Sequence, residues 1–528
     1  MKTKRQYLYN ALLLTLVTLL MRTVSVSFNV YVSNRVGAEA MGLLSLVSGI
    51  YAFAITLATS GIQLATVRTV VGEEDCRHDL RARQKLRACL LYAAFFGILA
   101  SVLLLTLAVP IGKFVLKETR AIRPLRMLSL TLLPIALTSV LNGYFTAVRR
   151  AWKNAVAQIT EQVVKITFTG YLLVIVSPKT IEGSVLAILM GGAVSESLSL
   201  LFNWILYLHD KHYFTKGERL PKVNLSLGCK QVAAIAMPVA ISAYVRSGLL
   251  AIEHILIPRG LIAYGAGNSA ALAAYGALQS MALPVVLYPA AILSSFASLL
   301  IPEVTQQEAI GNKREIQYIA GRVYQMTLLF AIGVGGGMLF LSGELGQTLY
   351  GSNEVSGFIK ALAPLIPIMY LDTATDAMLK GLGQQVYSMN VNIIDALVSV
   401  LSVAVLVPHF GILGYLITIY ITEILNAALS VSRLLYISGF RPKLLALFVR
   451  PLLSIVGATS LVNLAIKAFG FSTISAGLSL VLHITMISLI YFLLLFLTGS
   501  FSKDDSRWLI RSFLPSFKHN KPLSKDST

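Results

Sequence analysis

Residues 7–32 read YLYNALLLTLVTLLMRTVSVSFNVYV, twenty-six positions with one charge, Arg22, near the centre. A helix of about 20 apolar residues crosses the hydrocarbon core of a bilayer, so this stretch is long enough to span it. Lys2, Lys4 and Arg5 precede it as they would a secretory leader, but the run is too long for one and has no small-residue cleavage site, so it reads as a retained first membrane helix. The pattern then repeats to the end of the chain. Of 528 residues, 56% are hydrophobic and 13% are charged, against about 25% charged in a soluble domain. The runs lack the alternation of barrel strands and exceed their length, which leaves helices as the structure that satisfies every backbone group in lipid. The expected fold is an all-α integral membrane protein of about fourteen transmembrane helices.

The gaps between the runs carry the orientation. With the N-terminus placed in the cytoplasm, 30 Lys and Arg fall in inside segments and 10 in outside loops. That bias predicts cytoplasmic N- and C-termini, and it makes the net charge of +20 a topology signal. Nucleic-acid binding needs a basic soluble domain, and no gap is long enough to form one. One outside loop breaks the pattern with Lys113, Lys117, Arg120, Arg123 and Arg126. Two readings stand: cations snorkelling to headgroups, or a basic lip for an anionic lipid product. The tail 501–528 is basic, with Trp508, Leu509 and Phe513 suited to an interface. Cys76, Cys89 and Cys229 form no CxxC pair and predict neither a disulfide framework nor a metal site. No G-x-x-x-x-G-K loop occurs, and Gly333-Val334-Gly335-Gly336-Gly337 lies within an apolar run, where it predicts close helix packing.

Self-comparison reveals a repeat. Arg22 is followed thirteen residues later by Arg35, and Arg246 by Arg259, both pairs offset by 224. Leu141-Asn142-Gly143-Tyr144 corresponds to Leu379-Lys380-Gly381-Leu382, and an acid follows in the next helix of each half, Glu161 and Asp395. The helix after that repeats the feature with Glu196 and Glu423. The halves are 1–225 (spans one to six) and 226–440 (spans seven to twelve), with spans thirteen and fourteen in 441–500. Six spans per half give parallel repeats, and transport sites lie where such repeats meet.

A charge at mid-bilayer costs at least about 2.5–3.5 kcal/mol, so buried charges mark candidate function. Arg22 and Arg246 stand at equivalent places, and a forked, permanently charged guanidinium suits phosphate or pyrophosphate. Facing halves would bring both to one central cavity. The structural alternative for Arg246 is an ion pair with Glu253, seven residues on. Arg68, near the end of span two, is a third cation for the same cavity or a snorkelling side chain. Glu161 and Lys165 are spaced to pair along one helix. Asp372 and Asp376 share that spacing with like charges, and with Asp395 and Glu423 they make the second half acid-rich. These acids, with Glu161 and Glu196, are either a site for a coupling cation, H+ or Na+, or a structural polar network.

Leu141-Asn142-Gly143-Tyr144-Phe145, Glu161-Gln162-Val163-Val164-Lys165-Ile166, the Arg35-to-Leu43 stretch and Lys380-Gly381-Leu382-Gly383-Gln384 together resemble the stage V sporulation protein B family of polysaccharide-biosynthesis membrane proteins. Its superfamily includes lipid II flippases, oligosaccharide flippases and multidrug extrusion antiporters. The resemblance covers essentially all the spans. It implies two six-helix lobes around a central cavity, alternating access, and carriage of undecaprenyl-pyrophosphate-linked sugars to the outer leaflet of the bacterial cytoplasmic membrane. By position, Arg22 matches the cavity arginine of the family's first helix; Arg68 and Arg246 match less closely. No cofactor beyond a coupling cation is implied. The implied partners are a lipid-linked oligosaccharide, the bilayer and cell-wall synthesis proteins. A cation-coupled drug antiporter of the same fold is the competing function. A glycosyltransferase needs a larger external loop for its acceptor than this chain has, and a non-transporting scaffold for wall synthesis stays open.

Overall fold

A computed structural model of the chain describes residues 2–71, 80–148, 150–176, 180–214, 225–440, 445–469 and 475–501. Cys76 and the tail beyond Phe501, with Trp508, Leu509 and Phe513, lie outside the described residues. All regular structure among the described residues is helical. Buried in lipid, each backbone N–H and C=O must be bonded within its own segment, and a helix achieves that locally.

The first half comprises α1 (Lys2–Thr59), α2 (Ile62–Val71), α3 (Leu80–Pro110), α4 (Ile122–Ser129), α5 (Leu132–Ala147), α6 (Ala151–Tyr171) and α7 (Ile181–Phe214). The second comprises α8 (Leu225–Ala263), α9 (Asn268–Gly276), α10 (Leu283–Leu287), α11 (Ala290–Ile310), α12 (Lys313–Tyr350), α13 (Asn353–Leu362), α14 (Ile366–Gly381), α15 (Gln385–Phe410) and α16 (Ile412–Ser438). The last two, α17 (Arg450–Phe469) and α18 (Ala476–Leu497), pack on each other and against α12.

Eleven of the described helices are long and apolar enough to cross a bilayer, or twelve if α4 and α5, bent by 43°, count as one span. The expectation of about fourteen differs for two physical reasons. The first segment, Leu19–Val70, holds 52 residues; at about 1.5 Å per residue it is more than twice the hydrocarbon thickness. It is kinked at Gly37 (φ 82, ψ 168), a conformation open to glycine alone, so two runs of helix follow one another with a single non-helical residue between them. The other reason is α6, whose Asn154, Gln158, Glu161, Gln162 and Lys165 lower its apolarity.

Glycines set the closest helix contacts. A Cβ on Gly143 would lie 2.9 Å from the Gln63 carbonyl of α2, and one on Gly381 would lie 3.1 Å from Val304 of α11. The glycine of the matching tetrapeptides thus serves the same purpose in both places, seating α5 on α2 and α14 on α11. In the Gly333–Gly337 run, added Cβ atoms would lie 2.5 Å from Tyr491 of α18 and 2.5 Å from Ile455 of α17. That run is helix packing, as its apolar surroundings predict.

The halves meet where α1, α2 and α3 lie against α8, and where α1 lies against α9. A Cβ on Gly42 would sit 1.9 Å from the Leu272 carbonyl, and one on Gly276 2.2 Å from that of Ala38. Nearby, the Ser45 and Ser280 hydroxyls are in hydrogen-bond contact. Asn29 Nδ2 donates to the Ser280 carbonyl at 2.7 Å, and Asn34 Nδ2 to the Leu349 carbonyl at 2.6 Å.

Candidate functional site

The first-helix arginine sets the site. Arg22, with Met21, Ser25 and Val26 of α1, lines a cavity of about 400 Å³ whose other wall is Gln158, Glu161 and Gln162 of α6. Positions 22, 25 and 26 fall on one face of α1, and 158, 161 and 162 on one face of α6, by the three- and four-residue spacing of helical neighbours. Arg22 also acts electrostatically on Tyr370 of α14, so this wall reaches the second half. The next residue, Thr23, shares a 2.8 Å hydrogen bond with the Tyr288 hydroxyl between α10 and α11.

Glu161 is held from behind. The Ser199 hydroxyl of α7 donates to its Oε2 at 3.0 Å, and Lys165 one turn along α6 and Glu196 on α7 lie within electrostatic reach. Asp395 on α15 and Glu423 on α16 interact in the same way, helix for helix. Arg246 acts on Asp395. Each half therefore sets its first-helix arginine near the acid of its own fifth helix, Arg22 with Glu161 and Arg246 with Asp395. Arg246 does not line the Arg22 cavity. Glu253, the partner expected from spacing, instead meets the Ser399 hydroxyl of α15 and acts on Tyr275 and Tyr415.

Asp372 and Asp376 part company. Asp376 is bonded to the Ser388 hydroxyl and paired with Lys380 at 2.6 Å. Asp372 meets Ser430 and interacts with Asp395 and Glu423, and its Oδ1 is buried with no hydrogen-bond partner. Arg68 projects from the last turn of α2 with its side chain exposed. Gln158, Gln162, Ser25 and Tyr370 did not stand out in the sequence; for the two glutamines, uncharged amides in an apolar run were the available signal. Cys89 is buried, Cys229 half-buried, and both are free thiols.

The basic loop from Lys113 to Arg126 acquires counter-ions. Glu118, 5% exposed, accepts from Arg120 Nε at 2.8 Å and from Asn268 Nδ2 of α9 at 3.0 Å. Arg120 also pairs with Glu39 at 2.8 Å, and Arg123 with Glu182 at 3.5 Å. Arg259 of α8 donates to the Phe114 carbonyl at 2.6 Å. Burial pushes the Glu118 carboxyl up, but the hydrogen bonds and charge of Arg120, with Asn268, outweigh it and hold the group below its ordinary range. Asn268 and Arg259 belong to the second half, so these bonds clasp the two halves together at this face.

Residues 7–307 match the polysaccharide biosynthesis protein family. The chain belongs to that family. This polysaccharide biosynthesis protein is 25% identical over 513 residues to stage V sporulation protein B of Bacillus subtilis (strain 168), covering 96% of this chain and 98% of the relative. It is 24% identical over 405 residues to the lipid II flippase MurJ of the same organism, covering 71% and 72%. Among solved structures, lipid II flippase MurJ in an inward closed conformation aligns with a TM-score of 0.68 at 12% identity, covering 94% of this chain and all of that one. An inward-facing multidrug resistance MATE family transporter of the MOP superfamily aligns with a TM-score of 0.61 at 14% identity, covering 81% and 98%. The polysaccharide biosynthesis protein is thus a multi-pass membrane protein with the fold these structures share.

Proposed function

We propose that the chain is a flippase that carries an undecaprenyl-pyrophosphate-linked sugar, a lipid II-like or polysaccharide unit, from the inner to the outer leaflet of the bacterial cytoplasmic membrane. The observation that carries this reading is Arg22, the one charge in the apolar run 7–32, lining a cavity between α1 and α6. A guanidinium there is costly to keep, is never deprotonated, and offers a fork of donors to phosphate oxygens. The name of one relative, lipid II flippase MurJ, points the same way. In this reading the pyrophosphate meets Arg22 and the sugar enters the cavity while the polyprenyl chain stays in lipid. Parting of the halves at the Glu118 face then exposes the headgroup to the other side, with both termini cytoplasmic throughout. Arg246 and Arg68 serve the pyrophosphate along its path. Asp372, Asp376, Asp395 and Glu423 hold a coupling H+ or Na+, and the orphaned Asp372 Oδ1 is the atom best suited to it. Cell-wall synthesis proteins supply and consume the cargo.

The test is reconstitution in vesicles with a fluorescent polyprenyl-pyrophosphate sugar and an external quencher. Arg22→Ala with Arg246→Ala is expected to slow flipping about tenfold or more, since charge-assisted hydrogen bonds contribute about 1.5–3 kcal/mol each; unchanged flipping would remove the pyrophosphate role. A second reading, a cation-coupled drug antiporter, draws on the acid-rich second half and on the fold shared with the MATE transporter. It predicts drug sensitivity in a deletion strain with no cell-wall or spore defect.

A further inference from the structure

The wall of α6 that faces Arg22 carries two amides for which the pyrophosphate role gives no task. Gln158 and Gln162 stand one helical turn apart on the same face and both line the Arg22 cavity. Among the described residues, neither side chain has a hydrogen-bond partner in the protein, whereas Glu161 between them is committed to Ser199 of α7. Uncharged amides inside a membrane helix lower its apolarity and return nothing unless something bonds to them. A carboxamide presents two donor hydrogens and an acceptor oxygen. A guanidinium only donates. The cavity therefore sets a donor-only guanidinium, fitted to phosphate, opposite a pair of amides that both give and accept, fitted to hydroxyl groups and to the acetamido substituent of a sugar. Its volume of about 400 Å³ is at the small end of ligand pockets. It has room for a pyrophosphate and the ring next to it.

We propose that Gln158 and Gln162 are a sugar-reading subsite that contacts the ring joined to the pyrophosphate held by Arg22, so that this chain selects its cargo by the first sugar. The inference rests on the flippase reading. It assigns the α6 amides to specificity and Arg22 to affinity common to all pyrophosphate lipids.

Two probes separate these roles: undecaprenyl pyrophosphate, and undecaprenyl pyrophosphate carrying one N-acetylhexosamine. Binding of each to the purified full chain in nanodiscs is compared for wild type, Gln158→Ala/Gln162→Ala and Arg22→Ala. The double glutamine variant is expected to bind the sugar-bearing lipid about tenfold more weakly and the bare lipid within twofold of wild type. Arg22→Ala is expected to weaken both. Equal losses on both probes for the glutamine variant, or no loss on either, would overturn the subsite while leaving the flippase reading intact. Wild type binding neither probe would overturn the flippase reading and the subsite with it. Gln158→Asn/Gln162→Asn, which keeps the amides but shortens their reach, covers the case of a misfolded alanine variant. It is expected to retain bare-lipid binding and lose sugar discrimination, and retained discrimination would count against the subsite.

Discussion

At the residue scale, Arg22 and Gly37 show how differently two positions on one helix are legible. Arg22 announced itself because a charge in an apolar run of this length is costly. Its surroundings did not: Glu161 lies 139 positions further on, and only packing of α6 on α1 puts both on one cavity. Gly37 reads in the sequence as an ordinary loop residue between spans. In the fold it is the one non-helical residue within α1, with φ 82 and ψ 168. A Cβ added there would meet nothing within 4 Å, so the demand for glycine there is purely conformational. Gly37→Ala is therefore expected to cost about 1–3 kcal/mol, seen as a lower unfolding midpoint in detergent, while Gly337→Ala, where a Cβ also meets open space at a helical position, leaves the midpoint near wild type.

At the element scale, the repeat is an arrangement of helix contacts as much as of letters. Gly143 brings α5 onto α2 and Gly381 brings α14 onto α11, across equivalent crossings. Leucine at either position has to displace a neighbour, and overpacking of this kind costs about 1–3 kcal/mol. Matching losses of thermal stability are expected for Gly143→Leu and Gly381→Leu, and a loss at only one would show that the two crossings are not equivalent. The clasp at the other end of the halves has a pH signature. The Glu118 carboxyl sits below its ordinary range. Its contribution to the clasped state is therefore complete above the ordinary carboxylate value of about 4.3 and is lost as pH falls through the lowered value. Glu118→Gln at neutral pH is expected to mimic that loss. A membrane-impermeant maleimide, with Ser280→Cys as the reporter in a background lacking the native cysteines, should label several-fold faster in the variant; equal rates would show that the clasp does not hold this face shut. The five cations of this loop are legible in the sequence and the clasp is not, because Glu39 and Asn268 come from distant segments.

At the scale of the whole molecule, each half carries an arginine–acid arrangement of its own, Arg22 with Glu161 and Arg246 with Asp395. The surplus of the second half is Asp372, with its buried, unpartnered Oδ1, and Glu253. The coupling role proposed for this cluster predicts that an imposed Na+ or H+ gradient changes flipping by wild type in vesicles. Asp372→Asn is expected to abolish that gradient response while still binding the pyrophosphate lipid. A variant that keeps the full response would move the coupling ion elsewhere.

The sequence by itself determined that this protein crosses a membrane, its helical class and its family, because hydrophobic length and motif are written along the chain. It did not determine which charges meet. The tertiary structure alone decided that Arg22 shares a cavity with Gln158 and Gln162, that Glu253 turns to Ser399 while Arg246 acts on Asp395, and that Glu118 ties the halves together. The physical reason is that a membrane helix must be apolar on every face that meets lipid, so its few polar groups are placed by rotation about its axis and by its choice of neighbour. Neither quantity is local to the segment that carries those groups.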